Sequence, residues 1–571
     1  MSFKGIISSA TALFIRSAES CGYIVKQEPI PVPPPKPEMG DTAFGCFSVA
    51  KEYKKNPVQI ALEIATAMNV NLEPLFLKAQ AVGPYVNLFL NPPVFVEEVM
   101  KAIEDNSLTT PEPNQDERIM VEFSQPNTHK AIHVGHIRNM VLGAALVRIL
   151  RHEGYETIPA NYIGDSGAHI AACLWYYNKE GCPKPPQEDK GEWLGSIYSA
   201  AKIYIEENPD AKEEVSQVQQ ALERKDPYWY NLWKTTRKWS LEDFNHIYKL
   251  LGIEFDVCFY ESEEEEEGKK IVEEYLGKGI FRRSEGAVIC EFDDMPPALV
   301  LKSDGTTLYL TKDLALAKRK FEEFKIDRSI YVVGDAQSLH FKQVFAILKK
   351  MGFKQADKCY HLSYGMVNLP QGKMSSRTGN VVYFSELYSE MLEHVNVNYL
   401  NLKHDWDDKR KEGVARQVVI AAITFGMLSQ DARKPIEFRM EDWLSFEGET
   451  GPYVLYAYAR ICSIQRKAKE RGLAPDFSLS HLLVDQSEQA VLKEIYRFDD
   501  IIEEIAFDYK VSSLPRYLIA LCKAFSSFYH TCPVLQAEPD LAKARLALIE
   551  GVRIILGKGL DLLGINPPEE M

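Results

Sequence analysis

The middle of the chain alternates short apolar runs with longer stretches in which apolar residues recur at helical spacing. The runs typical of β-strands cover residues 118–123, 156–163, 298–301, 329–333 and 359–364. Strands that are separated by helices usually form a parallel sheet with helices on both faces. The pattern therefore predicts an α/β domain, which we place at residues 113–395.

The pattern also predicts three units around this sheet. Residues 1–112 hold an opening helix, a stiff proline-rich segment and an apolar strand, and we expect a small α+β domain there. A helical and heavily charged stretch at about 183–267 interrupts the sheet as an insertion. Beyond the sheet the spacing stays helical, which predicts a connecting helical region at 396–450 and an all-α domain at 451–571.

Composition narrows the class of protein. Hydrophobic residues make up 46% of the 571 positions and charged residues 26%, values typical of a soluble globular protein. The sequence contains no run of about 20 apolar residues, so we expect no membrane span. The ten cysteines show no metal-binding spacing, so we expect reduced thiols, a cytoplasmic location and no metal site. The net charge of −15 disfavours nucleic-acid binding without excluding it, because cations can be concentrated on one face.

One candidate for chemistry lies where the run 118–123 gives way to a helix expected at 137–150. His133 and His136 flank Gly135 there. The start of a helix favours anions, and imidazoles can donate hydrogen bonds to phosphate oxygens as charge develops on them. Gly135 would let an adenine base lie close to the backbone. Taken alone, the pattern could also be a metal-binding pair, and two surface histidines would be the better interpretation.

A second candidate is a loop that carries Lys373, followed by Met374 and Ser375 and flanked by Gly372 and Gly379. Alone it could be a solvated turn. The functional interpretation is a loop that hinges at its glycines and closes its lysine on a triphosphate. Both segments, in this order and at opposite ends of an interrupted α/β sheet, predict an ATP site.

The two segments resemble the HIGH and KMSKS motifs of class I aminoacyl-tRNA synthetases. The stretches 122–127, 302–313, 331–340 and 447–460 are similar to the arginyl-tRNA synthetase family, and the similarity runs through nearly the whole chain. The resemblance implies a Rossmann-type catalytic domain, a first domain that contacts the tRNA elbow, and C-terminal helices that bind the anticodon. It also implies activation of L-arginine with ATP, transfer to the terminal ribose of tRNA(Arg), and a need for bound tRNA in the first step.

The lysine loop departs from the common motif in one position. Ser376 stands where a second lysine is usual, and Lys130 lies just before the histidine motif, as it does in many members of the family. We expect Lys130 to supply the missing charge, although it could also be a surface lysine at the start of a helix. The predicted catalytic residues are His133, His136, Lys373 and Lys130, and the ATP-binding set adds Gly135, Met374 and Ser375.

The resemblance also places the arginine substrate. A guanidinium is a planar, permanently charged fork that carboxylates bind best, and Asp313 follows Tyr309 by four residues, on one face of a helix. Glu261 could instead belong to the acidic start of a solvated helix, and which acid pairs with the guanidinium stays open. The predicted arginine-binding residues are Glu122, Ser124, Asn127, Tyr309, Asp313, Gln337 and Glu261.

Tyrosines and cations in the last third suit unstacked RNA bases, and the predicted tRNA-binding residues are Tyr453, Tyr456 and Arg460. An aromatic stripe is more often part of a core, so only some of the tyrosines in this stretch should contact RNA. We further expect Mg²⁺ to accompany ATP without a dedicated protein site, and the chain to be a monomer.

Two other functions fit part of the sequence. A nucleotidyltransferase with the same histidine motif would share the ATP site but would not need the helical last third or the Tyr309–Asp313 segment. A tRNA-binding relative without catalytic activity would need neither histidine, so the presence of His133, His136 and Lys373 argues against it.

Overall fold

The computed structural model describes residues 3–113, 115–303, 305, 307–369, 372–373 and 382–571. The first domain is a three-stranded antiparallel sheet in the order β1-β3-β2, packed against helices. Its elements are α1 (Phe3–Ser20), β1 (Thr42–Gly45), α2 (Phe47–Tyr53), α3 (Pro57–Val70), β2 (Phe76–Val82), β3 (Tyr85–Leu90) and α4 (Pro92–Glu104). The expected α+β domain is confirmed.

The second domain is built on a five-stranded parallel sheet in the order β11-β10-β4-β5-β6. In chain order its elements are β4 (Arg118–Glu122), α5 (Val134–His152), β5 (Glu156–Ile163), α6 (Ala168–Lys179), α7 (Lys190–Glu207), α8 (Ala211–Glu223), α9 (Pro227–Leu250), β6 (Val257–Tyr260), α10 (Glu261–Gly277), β7 (Arg282–Ser284), β8 (Ala287–Cys290), β9 (Ala298–Leu301), α11 (Tyr309–Phe324), β10 (Arg328–Gly334), α12 (Ser338–Lys350) and β11 (Cys359–Tyr364). Ile119, Met120 and Val121 of β4 are fully buried, as a central strand covered on both faces requires.

Three sequence-based expectations differ from this architecture. The strand 298–301 exists, but it is β9 of a separate antiparallel sheet with β7 and β8. The insertion expected at about 183–267 is not wholly helical, because β6 lies within it and pairs with β5 as the edge strand of the parallel sheet. The helix expected at 137–150 begins three residues earlier, at Val134.

The remainder of the chain is helical apart from a small sheet in the order β13-β12-β14. Its elements are β12 (Val367–Leu369), β13 (Gly372–Lys373), α13 (Phe384–Asn398), α14 (Asp408–Leu428), β14 (Ile436–Glu437), α15 (Met440–Leu444), α16 (Gly451–Glu470), α17 (Gln486–Tyr496), α18 (Phe498–Asp508), α19 (Ser513–Thr531) and α20 (Pro539–Leu563). No helix in the described part of the chain is both long enough and apolar enough to span a membrane.

The first and last domains contact each other directly. Lys493 of α17 forms an ion pair with Asp41, and the rings of Phe95 and Tyr496 meet edge to face with centroids 5.6 Å apart. One continuous hydrophobic cluster runs from α1 through α5 to α20. The helical last third is therefore packed onto the α/β domain rather than tethered to it.

Candidate functional site

The candidate site lies at the carboxyl ends of the parallel strands. β4 is the central strand of the sheet. The next strand in the chain, β5, pairs with one edge of β4, and β10, followed outward by β11, pairs with the opposite edge. Ligands of open α/β sheets bind at the carboxyl ends of the strands where the strand order changes direction in this way. The segment after β4, which contains the histidine motif, starts at this point.

His133 and His136 close the first turn of α5 as reciprocal caps. The backbone N–H of Gly135 donates to Nδ1 of His133, and the N–H of His133 donates to Nδ1 of His136, each at 3.1 Å. A backbone N–H only donates, so both Nδ1 atoms are acceptors and the ring proton of each neutral histidine sits on Nε2. The motif therefore offers two imidazole N–H donors with fixed tautomers.

Both imidazoles are neutral at physiological pH. Burial, together with the charge of Lys130, lowers the pKa of His133 to about 4. The pKa of His136 lies well below its ordinary value, chiefly because of burial, with His133 and Lys130 adding to the effect. The two rings are tilted by 35° with centroids 3.8 Å apart, so protonating either would place a charge directly against its neighbour.

Lys130 is brought to the same place. Its ammonium lies 5.5 Å from the ring centroid of Tyr198, and its charge depresses the pKa of both motif histidines. Burial lowers the pKa of Lys130 itself, while Glu261 raises it. A half-buried lysine beside two imidazole donors is the arrangement that a triphosphate requires.

The segment that follows the lysine loop pairs with the start of the helix that carries the histidines. Lys373 lies on β13, where its backbone pairs with Asn368, and the residues that follow the loop pair with the start of α5. The N–H of Val134 donates to the carbonyl of Val382, and the N–H of Phe384 donates to the carbonyl of Ile132. Met374, Ser375 and the side chain of Lys373 lie outside the described residues.

Asp313 and Glu261 face the site from two helix starts. Tyr309 opens α11, and Asp313 lies one turn later, with Oδ2 bound to Nε2 of His340 at 2.5 Å. Glu261 opens α10, and its Oε2 lies 3.3 Å from the ammonium of Lys312.

The side chains of Asn127 and Glu261 both lie against Gly164, which follows β5. A Cβ at this position would be 2.3 Å from Oδ1 of Asn127 and 3.3 Å from Oε1 of Glu261. The structure thus brings Asn127 and Glu261 together against one glycine, and only a residue without a side chain fits there.

Glu261 is not part of a solvated helix start, as the alternative interpretation required. The residue is 6% exposed, and burial raises the pKa of its carboxyl to about 7. Lys312 counteracts this rise and Asp313 adds to it. A carboxyl group that titrates near neutrality beside a lysine and a second acid marks this position as a functional candidate.

Two predicted arginine contacts are buried in the protein instead. Glu122 forms an ion pair with Lys320, whose ammonium also lies 4.0 Å from the ring centroid of Tyr331. Ser124 is 3% exposed, and its hydroxyl bonds with that of Tyr248 at 2.8 Å. Direct contact between the Ser124 hydroxyl and a substrate does not fit this geometry, because the group already has a partner inside the fold.

Gln337 is exposed at the carboxyl end of β10, as expected from its place at a strand end. Tyr162 of β5 was not among the predicted site residues. Its hydroxyl is buried without a hydrogen-bond partner in the described part of the chain. Burial raises the pKa of this phenol, and the carboxylates of Asp313, Glu261 and Glu122 raise it further. Its only sequence signal was its place at the end of a predicted strand.

The tyrosines of α16 divide as expected for a partly buried stripe. The guanidinium of Arg460 bonds with the hydroxyl of Tyr456 at 2.8 Å, and its carbon lies 5.4 Å from the ring centroid of Tyr529. Tyr456 is 42% exposed, whereas Tyr458 belongs to the core. Tyr453 is half-buried and does not line the surface that Tyr456, Arg460 and Tyr529 share.

This surface is a cleft of about 450 Å³. Aromatic and cationic side chains line most of it, together with Asp405 and Glu570, and this excess of cations and rings suits an unpaired, negatively charged strand. We name it the C-terminal cleft. Its aromatic and cationic residues are Lys403, Trp406, Tyr456, Arg460, Arg466, Lys467 and Tyr529.

Three protein-family profiles match the chain. The family described as "tRNA synthetases class I (R), catalytic domain" matches residues 98–440. The "DALR anticodon binding domain" matches residues 454–571, and the "Arginyl tRNA synthetase N terminal domain" matches residues 4–90. Together they follow the three-part architecture along nearly the whole chain.

Individual relatives agree with these profiles. The arginine–tRNA ligase of Bdellovibrio bacteriovorus is 41% identical over 553 residues, which cover 95% of this chain and 94% of the relative. That of Halothermothrix orenii is 38% identical over 549 residues, covering 94% and 95%. Among solved structures, Thermus thermophilus arginyl-tRNA synthetase superposes with a TM-score of 0.79 at 28% identity, covering 99% of this chain and all of that one.

Proposed function

The chain belongs to the arginyl-tRNA synthetase family, and we propose how its residues divide the two steps of the reaction. The protein is an arginine–tRNA ligase. It activates L-arginine with ATP to arginyl-adenylate and pyrophosphate, and then transfers the arginyl group to the 3′-terminal ribose of tRNA(Arg). Class I synthetases use ATP as the activating substrate.

In the first step the arginine carboxylate attacks the α-phosphorus of ATP, and the bond to pyrophosphate breaks. Negative charge then accumulates on the leaving oxygens. The Nε2–H groups of His133 and His136 donate to these oxygens, and Lys130 and Lys373 supply positive charge. The fixed tautomers of the two histidines carry this proposal, because donors aimed in advance lose no free energy to reorientation during the reaction.

Mg²⁺ accompanies ATP in this scheme. Mg²⁺ prefers oxygen ligands, whereas the groups gathered at the start of α5 are imidazole and ammonium nitrogens. The described residues contain no group of three or more histidine, cysteine or acidic side chains placed to hold a metal ion. In this proposal the phosphate oxygens and water are its ligands.

The arginine side chain lies between Asp313 and Glu261. Oδ2 of Asp313 is held by His340, which directs the other carboxylate oxygen to the guanidinium. Tyr309 flanks the same group from the start of α11. Asn127 and Gln337 lie at the ends of β4 and β10 and bind the amino-acid end of the substrate. The Tyr162 hydroxyl, otherwise without a partner in the described chain, completes the pocket.

The tRNA occupies a second surface. Its anticodon loop lies in the C-terminal cleft, where Tyr456 and Arg460 contact unpaired bases, while its 3′ end reaches the histidine motif. The cationic lining of the cleft offsets the overall negative charge of the chain. The protein acts as a monomer in the cytoplasm.

Arginine-dependent exchange of pyrophosphate into ATP tests the assignment, with and without total tRNA. Exchange that requires both arginine and tRNA is expected. Exchange that needs neither would indicate a nucleotidyltransferase. No exchange in the presence of both, while the protein still binds tRNA, would indicate a relative without catalytic activity.

A further inference from the structure

Arg138 is a fully buried cation on the helix that carries the histidine motif. It lies two residues after His136 on α5 and is 1% exposed. Its guanidinium donates to the carbonyl oxygens of Gly365 at 2.5 Å, Lys434 at 2.8 Å and Asp431 at 3.2 Å. One side chain thus binds two chain segments that are distant from it and from each other in the sequence.

The partners of Arg138 are unusual for a buried charge. Within the described residues every acceptor of its hydrogen bonds is a backbone carbonyl, and no carboxylate binds it. Burial lowers the pKa of Arg138 to about 10, with Tyr364, Asp431 and Asp335 opposing the change, so the group stays charged at neutral pH. An ion kept in the interior without a bound counter-ion is costly, and simple core packing would be served better by an apolar residue.

The two segments held by Arg138 meet in a tight junction. The N–H of Gly365 donates to the carbonyl of Ala432, and a Cβ on Gly365 would lie 2.7–2.8 Å from backbone atoms of Lys434 and Pro435. There is no room for a methyl group between the segments. Their relative position is therefore fixed to a fraction of an ångström while Arg138 and the glycine are in place.

This junction is the base of the small sheet that carries the loop lysine. Two residues after Gly365 the chain enters β12, and one residue after Pro435 it enters β14, which pairs with β12 in parallel. β13, with Lys373, pairs with the other side of β12. A shift at the junction is thus passed through β12 to the backbone of Lys373.

We propose that Arg138 is a positioning residue for the adenylation step: by binding the junction at Gly365 and at 431–434, it sets the distance between β13, which carries Lys373, and the histidines of α5. This inference rests on the proposed role of Lys373. It explains why a guanidinium, with several donors in one plane, occupies this place. A lysine has too compact a head group to bind three carbonyls from two segments at once.

The test is a double-mutant cycle on the full-length enzyme, in arginine-dependent ATP–pyrophosphate exchange with tRNA present. Arg138→Lys is expected to lower kcat about 10- to 100-fold, which corresponds to the loss of one hydrogen bond from a charged group. The KM values for arginine and tRNA are expected to stay within about 3-fold, because their contacts lie elsewhere. In the Lys373→Ala background the same substitution should change kcat by less than about 3-fold, since nothing remains to be positioned.

Arg148→Lys is the matched control. Arg148 lies on the same helix and also donates to a backbone carbonyl, that of Gly252 at 2.6 Å, but it does not touch the junction. Its substitution should leave the kcat of exchange unchanged. Gly365→Ala is the second variant, because the added methyl forces the same junction apart from the other side. It is expected to reproduce both the loss of kcat and the lack of a further effect in the Lys373→Ala background.

The outcomes separate this inference from the proposed function. If Lys373→Ala leaves exchange unchanged, the role of the loop lysine fails and this inference fails with it. If Lys373→Ala slows exchange but Arg138→Lys multiplies that loss, only the positioning role is overturned. If the Arg138→Lys variant does not fold, the same measurements on Gly365→Ala, alone and in the Lys373→Ala background, decide whether the junction positions Lys373. If both variants are recovered unfolded, Arg138 is a folding residue and the inference is wrong.

Discussion

Asp313 receives a hydrogen bond from His340, with 2.5 Å between the imidazole Nε2 and the carboxylate Oδ2. The two residues lie on neighbouring helices, α11 and α12, and both side chains are about one-fifth exposed at 18% and 21%. The imidazole fixes the plane of the carboxylate before any substrate arrives. A bidentate guanidinium needs such a plane, because its two N–H groups are themselves coplanar.

Replacing Asp313 with Asn keeps the volume and removes the charge. We expect the KM for arginine to rise about 30-fold or more, as the loss of a partly buried charge partner costs about 2 kcal/mol or more. The KM for ATP should change little. Asp357→Asn is the control, since Asp357 forms a surface ion pair with Lys349 and is 77% exposed. Unchanged arginine kinetics in the Asp313 variant would remove this residue from the pocket.

His340→Gln should act in the same direction but less strongly than Asp313→Asn, since the amide can still donate to the carboxylate.

Lys130→Ala should slow adenylation about 100-fold, the scale of losing one group that stabilises transition-state charge. Its effect on the Kd for tRNA should be small, because the lysine lies beside the histidines and not in the C-terminal cleft. Single-turnover adenylation and equilibrium tRNA binding measure the two quantities separately. Lys179→Ala is the control: this lysine, at the end of α6, also lies over aromatic rings, those of Trp175 and Tyr204. A variant of Lys130 that weakened only tRNA binding would contradict its assignment to the phosphates.

Arginine binding should depend on pH through Glu261. Its carboxyl is protonated below its pKa of about 7 and ionised above it. Only the ionised form attracts a guanidinium, so the KM for arginine should rise as the pH falls from 8 to 6. His133, with a pKa of about 4, and His136, whose pKa lies well below its ordinary value, stay neutral in this range and do not contribute.

Glu261→Gln supplies the comparison for this pH effect. The variant should show the raised KM already at pH 8 and little dependence down to pH 6. If its pH profile were parallel to that of the unmodified protein, another group would be responsible for the titration.

In the C-terminal cleft, Tyr456→Ala and Arg460→Ala should each raise the KM for tRNA. A base stacked on an aromatic ring contributes about 1–3 kcal/mol, which predicts a rise of roughly 5- to 100-fold for the tyrosine. Loss of the arginine should also weaken the salt dependence of tRNA binding. Phe507→Ala, at an aromatic residue of the same helical region that is 87% exposed, is the control. Equal effects at Phe507 and Tyr456 would argue against a specific role for the cleft.

The secondary structure of the sheet was largely predictable, and its pairing was not. The strands 156–163 and 359–364 match β5 and β11, because buried parallel strands are nearly continuous apolar runs. β6 escaped prediction since it has four residues, one of them the exposed Cys258 at the sheet edge. Apolar character alone also does not name the partner strand, which is why β9 was assigned to the wrong sheet.

The residues of the candidate site were likewise only partly predictable from the sequence. The histidine motif and Lys130 could be found because they are neighbours in the sequence, at and just before the start of one helix. Lys320, which neutralises Glu122, could not be found in this way, because the two residues are 198 positions apart in the sequence.

Backbone conformation was equally hidden in the sequence. Three residues between β4 and α5 have left-handed φ angles, which residues other than glycine rarely adopt. Each of their N–H groups donates to a distant side chain, that of Asn139, Asn161 or Ser240. The three residues are Ser124 (76°), Gln125 (42°) and His129 (65°).

The pairing of Glu122 with Lys320 has a consequence for the selectivity of the proposed arginine pocket. Among the described acids near Tyr162, Lys320 balances Glu122, Lys312 balances Glu261 and Arg319 balances Glu264, which leaves Asp313 without a lysine or arginine partner. An arginine side chain makes such a pocket electroneutral. The uncharged urea analogue of arginine has nearly the same shape but would leave that charge buried and uncompensated. Rejection of the isostere then follows from charge balance, and no second site for correcting errors is required.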